Sequence, residues 1–387
     1  MAEKGTVERM GNEHAEQQLP TLEQLRGQID GIDQQIHELL NQRARCAQQV
    51  AEVKLNEYRA SNGAAADLAK VMFYRPEREA QVLRKVIERN RGPLDGKVVA
   101  HIFREIMSAC LALEKPLEVA YFGPAGSFTN AAALKHFGHA VVALPQPSIA
   151  AVFAQVESGQ CRYGVVPVEN STEGMVNHTL DNFINSPLKI CGEVELRINL
   201  HLLVNANTDA KKIRQICAHP QALAQARHWL DSNWGHVEIV PVANNAEAAR
   251  MAAEQDGIAA VAGDMAAEQY GLLKLASSIE DYADNTTRFL IVSQEEVAAS
   301  GSDKTTLVVS AHNKPGALFK LLEPFQRDGI SLTRIDTRPS RSQTWAYLFF
   351  IEFEGHRDDP AIAAILSELE EKSITLKILG SYPKAVL

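Results

Sequence analysis

The sequence predicts a multidomain protein in which an all-α domain is followed by an α/β domain and then by a smaller α+β domain. Three observations carry this prediction. Apolar residues first recur at alternating steps of three and four, which is typical of long amphipathic helices. Short β-branched runs then alternate with helical patterns over about 180 residues, as in α/β folds. The last segment has the order strand, helix, strand, strand, helix, strand, which is ferredoxin-like.

The composition is that of an ordinary globular protein. The chain has 387 residues, of which 45% are hydrophobic and 22% are charged, and its net charge is −9. Because nucleic acids attract basic surfaces, this acidic balance argues against a nucleic-acid partner. No apolar run reaches the roughly 18 residues that a membrane-spanning helix needs.

The N-terminus and the cysteines indicate the cellular compartment. Residues 1–20 are polar, without the apolar core of a secretory signal, and are predicted to form a disordered tail. The five cysteines lie far apart, with no CxxC pair. This pattern predicts reduced thiols in a cytoplasmic protein, with neither a disulfide framework nor a metal site.

The first domain is predicted to contain one long helix and two shorter ones. Apolar residues at 22, 25, 29, 32, 36, 39, 46, 50 and 53 form the seam of a helix over about 21–56. Pro76 marks the start of a second helix, and a third is expected over about 94–114. The residues between the first two helices predict a long loop over 56–70. A helix of this length cannot bury its seam alone.

Arg43 occupies a seam position at which an apolar residue is expected. A lone buried cation costs several kcal/mol unless it is paired. Arg43 therefore either pairs with an acid across a dimer seam or belongs to an anion-binding pocket. Arg26, Lys54 and Arg78 also stand out. Arg26 and Lys54 are separated by about 42 Å of helix, so one small ligand can contact both only if Arg26 comes from a partner chain.

The motifs LEQLRGQIDGIDQQIHELLNQRARCAQQVAEVK, YRPEREAQVLRKV and IFREIMSACLALEKP resemble the all-helical chorismate mutase family. This family rearranges chorismate to prephenate by clamping a dicarboxylate and stabilising charge on the breaking ether oxygen. The resemblance implies that Arg26 of a partner chain, Arg43 and Arg78 bind the carboxylates. It further implies that Lys54 bridges a carboxylate and the ether oxygen, and that Glu79 binds the substrate hydroxyl.

Three positions depart from the pattern of that family. Arg75 and Cys110 stand where other members have an Asp and a Ser that contact the ligand. Glu114 stands where many members have a Gln that donates to the ether oxygen. Because a carboxyl group donates a hydrogen bond only when it is protonated, mutase activity is expected to decline as pH rises.

Three polar motifs of the α/β segment lie at the ends of predicted strands. GPAGSFT (123–129) opens a helix, where backbone amides can hold an anion, although an ordinary turn also fits. VPVENSTEGMVNHTLD (166–181) ends a strand in four polar residues, and open α/β sheets bind ligands at such ends. NTTRF (285–289) leads into the apolar strand FLIV. Each motif alone is also compatible with a capped loop.

In this order and spacing, GPAGSFTNAAA, VVPVENSTEGMVNHTLD, AHPQALAQ and NTTRFLIV resemble the prephenate dehydratase family over 117–293. The resemblance implies a two-lobed fold, like that of periplasmic binding proteins, with the site in the cleft. It implies that Thr287 donates to the departing ring hydroxyl of prephenate, through a network with Asn170, Ser171 or water. Arg288 would organise the carboxylates, and Phe289 would pack. The implied substrate-binding residues are Thr129, Glu169, Asn170, Ser171, Thr172, Gln221, Arg288 and Phe289.

The motifs NKPGALFKLLEPF and LTRIDTRPSR, set in the βαββαβ order, resemble the ACT domain, an amino-acid-sensing module. Dehydratases carry Gly-Ala-Leu and Glu-Ser-Arg-Pro motifs that bind L-phenylalanine between two paired domains. In this chain Asp and Thr replace the Glu and Ser, which leaves the effector affinity open. The implied effector-binding residues are Gly316, Ala317, Leu318, Asp336, Thr337, Arg338 and Pro339.

Together the resemblances predict a bifunctional chorismate mutase–prephenate dehydratase of phenylalanine biosynthesis, feedback-inhibited by L-phenylalanine. The predicted domains span 21–115, 116–297 and 304–387, with a polar linker at 298–303. We expect no cofactor, no metal, no nucleic-acid or membrane partner, and a cytoplasmic homodimer or higher homo-oligomer. Two alternatives stay open: a dehydratase with a weak or inactive mutase domain, and a non-catalytic sensor of aromatic amino acids.

Overall fold

The computed structural model describes residues 20–63, 71–172, 174–311, 314–339 and 347–387. These residues form three successive domains, which we call the helical, α/β and C-terminal domains. The predicted disordered tail lies outside the described residues except for Pro20, and so do residues 64–70 of the predicted loop. In the described part of the chain no helix is both long and apolar enough to cross a bilayer.

The helical domain consists of α1 (Leu22–Asn62), α2 (Pro76–Arg89) and α3 (Gly96–Glu114). Thr21 begins α1 with a capping box, because its side chain accepts from the Gln24 amide while the Gln24 side chain accepts from the Thr21 amide. The predicted loop is wrong over residues 56–62. They continue α1 until Gly63, whose φ of 83° ends the helix.

One face of α1 is apolar and exposed in the single chain. Its side chains are between 41% and 64% exposed at Leu22, Leu25, Ile29, Ile32, Ile36 and Leu39. Soluble monomers rarely expose a contiguous apolar surface of this length. The face therefore supports the prediction that a partner chain covers the seam.

The first lobe of the α/β domain is a mixed sheet covered by helices. Its strands are β1 (Glu118–Phe122), β2 (Val142–Gln146), β3 (Tyr163–Asn170), β4 (Gly174–Met175), β5 (Lys189–Arg197) and β11 (Thr286–Ser293). Their order is β2-β1-β3-β11-β5, with β4 paired to β3. The helices are α4 (Phe128–Phe137), α5 (Ile149–Glu157) and α6 (Asn177–Asn185).

The second lobe is built from the chain between β5 and β11. Its strands are β6 (His201–Val204), β7 (Gln215–Ala218), β8 (Glu238–Pro241), β9 (Ile258–Ala262) and β10 (Leu273–Ala276), in the order β10-β6-β9-β7-β8. Its helices are α7 (Pro220–Gln225), α8 (Arg227–Trp234), α9 (Asn245–Glu254) and α10 (Asp264–Tyr270). Two connections, 198–200 and 277–285, join the lobes, so the predicted two-lobed organisation is confirmed.

The C-terminal domain has the predicted βαββαβ order. Its elements are β12 (Asp303–Ala311), α11 (Ala317–Arg327), β13 (Leu332–Pro339), β14 (Tyr347–Glu354), α12 (Pro360–Lys372) and β15 (Thr375–Pro383). The antiparallel sheet has the order β13-β14-β12-β15, which is the ferredoxin-like arrangement.

The three domains pack closely on one another. One face of the C-terminal sheet shares a hydrophobic core with the α/β domain, in which Phe350 and Leu379 join Leu180 and Phe183. The segment 298–303, predicted as a polar linker, contacts the helical domain. Ser300 is buried, and Arg84 of α2 donates to its carbonyl oxygen at 2.7 Å and to its hydroxyl at 2.8 Å.

Candidate active sites

In the helical domain, Arg43 and Lys54 of α1 lie close enough to Glu114 of α3 to influence its charge. Burial raises the pKa of Glu114, while Lys54 and Arg43 oppose that rise. Burial likewise lowers the pKa of Lys54, whose Nζ donates to the Phe73 carbonyl oxygen at 2.9 Å. Glu114 Oε2 is buried without a hydrogen-bond partner among the described residues. The cluster thus presents two cations and one acid to a ligand.

The residues beside this cluster are only partly those that the sequence pointed to. Cys110 is buried in α3. Arg75 occupies the N-cap position of α2, and its Nε pairs with Glu77 Oε1 at 2.5 Å. Glu77 is itself buried, and its charge acts on Lys54. The sequence analysis did not single out Glu77. Its position in the first turn of α2, close to Arg75 and Arg78, could have drawn attention to it.

Glu79 does not join this cluster in the single chain, and its contact with the mutase substrate stays a prediction. Arg104 Nε pairs with Glu79 at 3.2 Å, and another nitrogen of Arg104 donates to the Lys135 carbonyl oxygen of the α/β domain at 2.8 Å. The reason is helical geometry. Residues two apart lie on nearly opposite faces of a helix, so α2 turns Glu77 towards Lys54 and Glu79 away.

Two of the predicted carboxylate-binding cations are exposed. Arg26 lies on the exposed length of α1, and Arg78 lies on the exposed side of α2. The structure of one chain therefore brings together Arg43, Lys54 and Glu114, and leaves Arg26 and Arg78 outside. The exposed position of Arg26 agrees with the prediction that Arg26 enters the mutase site of a partner chain, and this stays a prediction.

In the α/β domain a cleft of about 1060 Å³ lies between the lobes. The loop 123–129 forms one wall, and Ser127 caps α4 by accepting from the Asn130 amide. The loop turns sharply at Gly123 and Gly126, whose φ angles of 101° and 82° favour glycine. Gln221 of α7, together with Asn244 and Asn245 near the start of α9, lines the opposite lobe.

The hydrogen bonds around Thr287 have a defined direction. The Thr172 backbone amide donates to Asn170 Oδ1 at 3.0 Å, which identifies that atom as the oxygen of the Asn170 side chain. Asn170 Nδ2 then donates to Thr287 Oγ1 at 2.8 Å and to Asn285 Oδ1 at 3.0 Å. Because Thr287 Oγ1 accepts from Asn170, its own hydrogen is available to a ligand in the cleft.

Comparison with known proteins identifies the family. Family models for chorismate mutase type II, prephenate dehydratase and the ACT domain match residues 25–115, 119–297 and 305–371. A bifunctional chorismate mutase/prephenate dehydratase of Stutzerimonas stutzeri is 54% identical over 366 residues, which cover 95% of this chain and 98% of the relative. The chain belongs to the bifunctional chorismate mutase/prephenate dehydratase family.

Two solved structures each match about 70% of this chain. A prephenate dehydratase of Arthrobacter aurescens in complex with L-Phe is 34% identical, with a TM-score of 0.64, and the match covers 69% of this chain and 90% of that one. A structure described as a quorum quenching acylase is 30% identical, with a TM-score of 0.64, covering 70% and 98%. The Stutzerimonas stutzeri relative is more similar to this chain than either structure, and its match extends over the helical domain. It therefore indicates the mutase and dehydratase activities and not an acylase activity.

Membership of this family confirms the predicted fold and enzyme class. The chain is a bifunctional enzyme with chorismate mutase and prephenate dehydratase domains and an ACT domain. This finding favours the main prediction over the non-catalytic sensor. The individual site residues stay predictions.

Two residues predicted in the dehydratase site lie on the wrong face of the sheet. Side chains alternate along a strand, so Thr287 faces the cleft while Arg288 faces the C-terminal domain. Arg288 is buried and pairs with Glu193 and Glu352. On β3, Asn170 faces the cleft, whereas Glu169 pairs with Arg334 of β13. The structure thus places neither Arg288 nor Glu169 in the lining of the cleft.

The other predicted dehydratase residues surround the cleft or support it. Thr129, Gln221 and Phe289 line the cleft. Thr172 accepts from Gln225, and Ser171 accepts from the Thr286 amide at 3.0 Å. Sequence reasoning did not assign roles to Asn285 and Gln225. The signal for Asn285 was its position two residues before Thr287.

The predicted effector residues lie at two places in the C-terminal domain. Gly316 has a φ of 80° and precedes Ala317 and Leu318 at the start of α11. On β13, Asp336 and Arg338 are half-buried, whereas Thr337 and Pro339 are exposed. Among the described residues, Asp336 Oδ2 and Arg338 Nε have no hydrogen-bond partner.

The described residues contain no group of three or more His, Cys, Asp or Glu side chains that could hold a metal ion. The close pair of histidines at 136 and 139 has other partners: His136 contacts the Tyr74 hydroxyl at 3.2 Å, and His139 pairs with Glu105.

Proposed function

We propose that this enzyme converts chorismate to prephenate in the helical domain, and prephenate to phenylpyruvate in the cleft of the α/β domain. L-phenylalanine binds the C-terminal domain and inhibits the enzyme. The enzyme acts in the cytoplasm as a homodimer or a larger homo-oligomer. The observation that carries the dehydratase mechanism is the hydrogen bond from Asn170 to Thr287.

The mutase step needs positioning and charge stabilisation rather than a nucleophile. Arg43 and Lys54 hold the carboxylates of chorismate, and Arg26 of the partner chain completes the clamp. As the ether bond breaks, negative charge develops on its oxygen. Protonated Glu114 donates a hydrogen bond to that oxygen, and the partly buried position of Glu114 strengthens the interaction.

The dehydratase step combines loss of carbon dioxide with departure of the ring hydroxyl. The bond between the ring and its carboxylate breaks, its electron pair enters the ring, and the bond from the ring to the hydroxyl oxygen breaks. The ring becomes aromatic, and the hydroxyl leaves as water by taking up one proton from solvent. Because the threonine hydroxyl is a weak acid, Thr287 assists by donating a hydrogen bond to the departing oxygen. Asn170 keeps Thr287 in the donor orientation.

Substitutions at Thr287 test this role in the full chain. Thr287→Ala is expected to lower kcat for phenylpyruvate formation from prephenate by about 100- to 1000-fold, the cost of one donor to a developing charge. Thr287→Ser keeps the hydroxyl and is expected to retain most of the activity. The mutase rate of the same variants serves as the folding control. A Thr287→Ala variant with the wild-type dehydratase rate would falsify the proposal.

A second measurement tests the proposed functions of all three domains at once. Phenylpyruvate is measured from chorismate, with and without L-phenylalanine. Formation of product that falls on adding L-phenylalanine is the expected result. Product from prephenate but none from chorismate would instead mean an inactive helical domain. Product that is unchanged by L-phenylalanine would contradict the regulatory part of the proposal.

A further inference from the structure

The two strands that carry the dehydratase donor network also hold the C-terminal domain. In β11, Thr287 faces the cleft and the next residue, Arg288, faces the C-terminal domain. In β3, Asn170 faces the cleft and the preceding residue, Glu169, pairs with Arg334 of β13. Thr287 is the Cα partner of Asn170, and Arg288 that of Glu169. Each cleft residue therefore has a neighbour anchored in another domain.

The anchor of Arg288 is a buried network of four charges. Arg288 Nε donates to Glu193 Oε2 of β5 at 2.8 Å, and Arg288 also pairs with Glu352 of β14. Lys304 of β12 lies 3.1 Å from Glu193 and 3.4 Å from Glu352. Two carboxylates thus balance two cations. Burial by itself would raise the pKa of Glu352, but Arg288 and Lys304 hold it at about 2.

The main chain at this point is irregular. The ladder between β11 and β3 shifts register between Arg288 and Phe289, which pair with Glu169 and Pro167. A β-bulge weakens local pairing and re-aims the side chains next to it. The ladder with β5, on the other side of β11, is regular from Thr286 to Ile291. The side chain of Arg288 adds a further constraint one residue from Thr287, where the pairing with β3 is irregular.

We propose that Arg288 is a positioning residue of the dehydratase reaction: held by Glu193 and Glu352, it fixes the β11 backbone that presents Thr287 to the substrate. The C-terminal domain is then part of the dehydratase site, because Glu352 comes from its sheet. This proposal rests on the proposed role of Thr287 as the hydrogen-bond donor.

Arginine suits this position for a geometric reason. Its planar guanidinium contacts Glu193, Glu352 and the Tyr382 hydroxyl at once, the last at 3.1 Å. A lysine keeps the charge but not the fixed fork of donors. Removing Glu352 leaves the cation paired on one side only. Both changes loosen β11 without touching the cleft.

The test uses the full chain with Glu352→Gln and Arg288→Lys. Misplacing a catalytic group by about 1 Å can cost roughly 100-fold in rate, so each variant is expected to lower dehydratase kcat by about 10- to 100-fold. KM for prephenate is expected to stay within about twofold, because neither residue touches the substrate. The matched control is Glu296→Gln. It breaks a different ion pair between the α/β and C-terminal domains, with Arg357 at 2.6 Å, and is expected to keep the wild-type kcat.

A double-variant cycle separates positioning from loss of stability. If Glu352 and Arg288 act through Thr287, adding Glu352→Gln to Thr287→Ala causes less than about a twofold further loss. If the fold-loss in the double variant equals the product of the losses in the two single variants, the proposal is overturned. A wild-type kcat in both Arg288→Lys and Glu352→Gln also overturns it.

The mutase rate in each variant reports whether the chain is folded. Glu352→Gln could lose both activities because the chain unfolds. In that case the dehydratase kcat of Arg288→Lys, which keeps the buried charge, tests the positioning role. The two proposals fail differently. A wild-type rate in Thr287→Ala removes the proposed function itself, whereas a large loss in Thr287→Ala beside wild-type rates in the other variants removes only the positioning role.

Discussion

Gly380 of β15 packs so closely on Ile190 of β5 that a β-carbon at residue 380 would lie 2.8 Å from the Ile190 nitrogen. Only a residue without a side chain allows the two backbones this approach. The contact joins the C-terminal domain to the strand that also carries Glu193. Domain docking and the anchor of Arg288 thus depend on the same strand.

Gly380→Ala is expected to destabilise the chain by about 1–3 kcal/mol, the usual cost of overpacking a close contact. Urea unfolding of the full chain measures this change. Gly92→Ala is the matched control, because the nearest atom to its β-carbon is Asn90 Oδ1 at 3.7 Å. Equal stability of the two variants would show that the domains separate or shift at no cost.

The mutase rate is expected to fall as pH rises. Burial raises the pKa of Glu114, with Lys54 and Arg43 opposing, and only the protonated carboxyl can donate to the ether oxygen. The active form therefore predominates below this raised pKa and is lost as pH increases through it. Glu114→Gln donates at every pH and is expected to flatten the profile of kcat against pH. A wild-type profile that is already flat would contradict the role of Glu114, and the dehydratase rate is the control.

Mixing two inactive variants tests whether the mutase site is shared between chains. Arg26→Ala and Arg43→Ala are each expected to lose most mutase activity. If each site takes Arg43 from one chain and Arg26 from its partner, half of the dimers formed by random reassociation are mixed, and each has one intact site. About a quarter of the wild-type mutase rate is then recovered. No recovery after subunit exchange, shown by mass spectrometry, would mean that the two residues act within one chain.

Arg338 is expected to be needed for inhibition by L-phenylalanine. Its Nε is buried without a hydrogen-bond partner among the described residues, and a guanidinium recognises a carboxylate well. Arg338→Met is expected to raise the L-phenylalanine concentration for half inhibition at least about tenfold, the effect of losing one charged hydrogen bond. Arg327→Met, on the exposed pair with Glu368, is the control. Unchanged inhibition in Arg338→Met would exclude this site.

The local patterns of the sequence predicted much of this protein. The alternating apolar steps predicted the first helix, and Pro76 marked the start of the second. The strand and helix patterns of the last segment predicted the βαββαβ order, because such patterns arise within single elements. The polar strand ends at 169–172 and 285–287 led to Asn170 and Thr287, which the structure joins by a hydrogen bond.

Packing between elements decided what the sequence could not. Which of Glu77 and Glu79 meets Lys54 depends on how α2 is rotated about its own axis, and α2 packs on α3 and on β15 of the C-terminal domain. Whether Arg288 contacts a ligand or other side chains depends on what covers the face of the sheet that points away from the cleft. Alternation predicts that Thr287 and Arg288 point in opposite directions. Only the docked C-terminal domain, which supplies Glu352, determines that Arg288 is buried in an ion network.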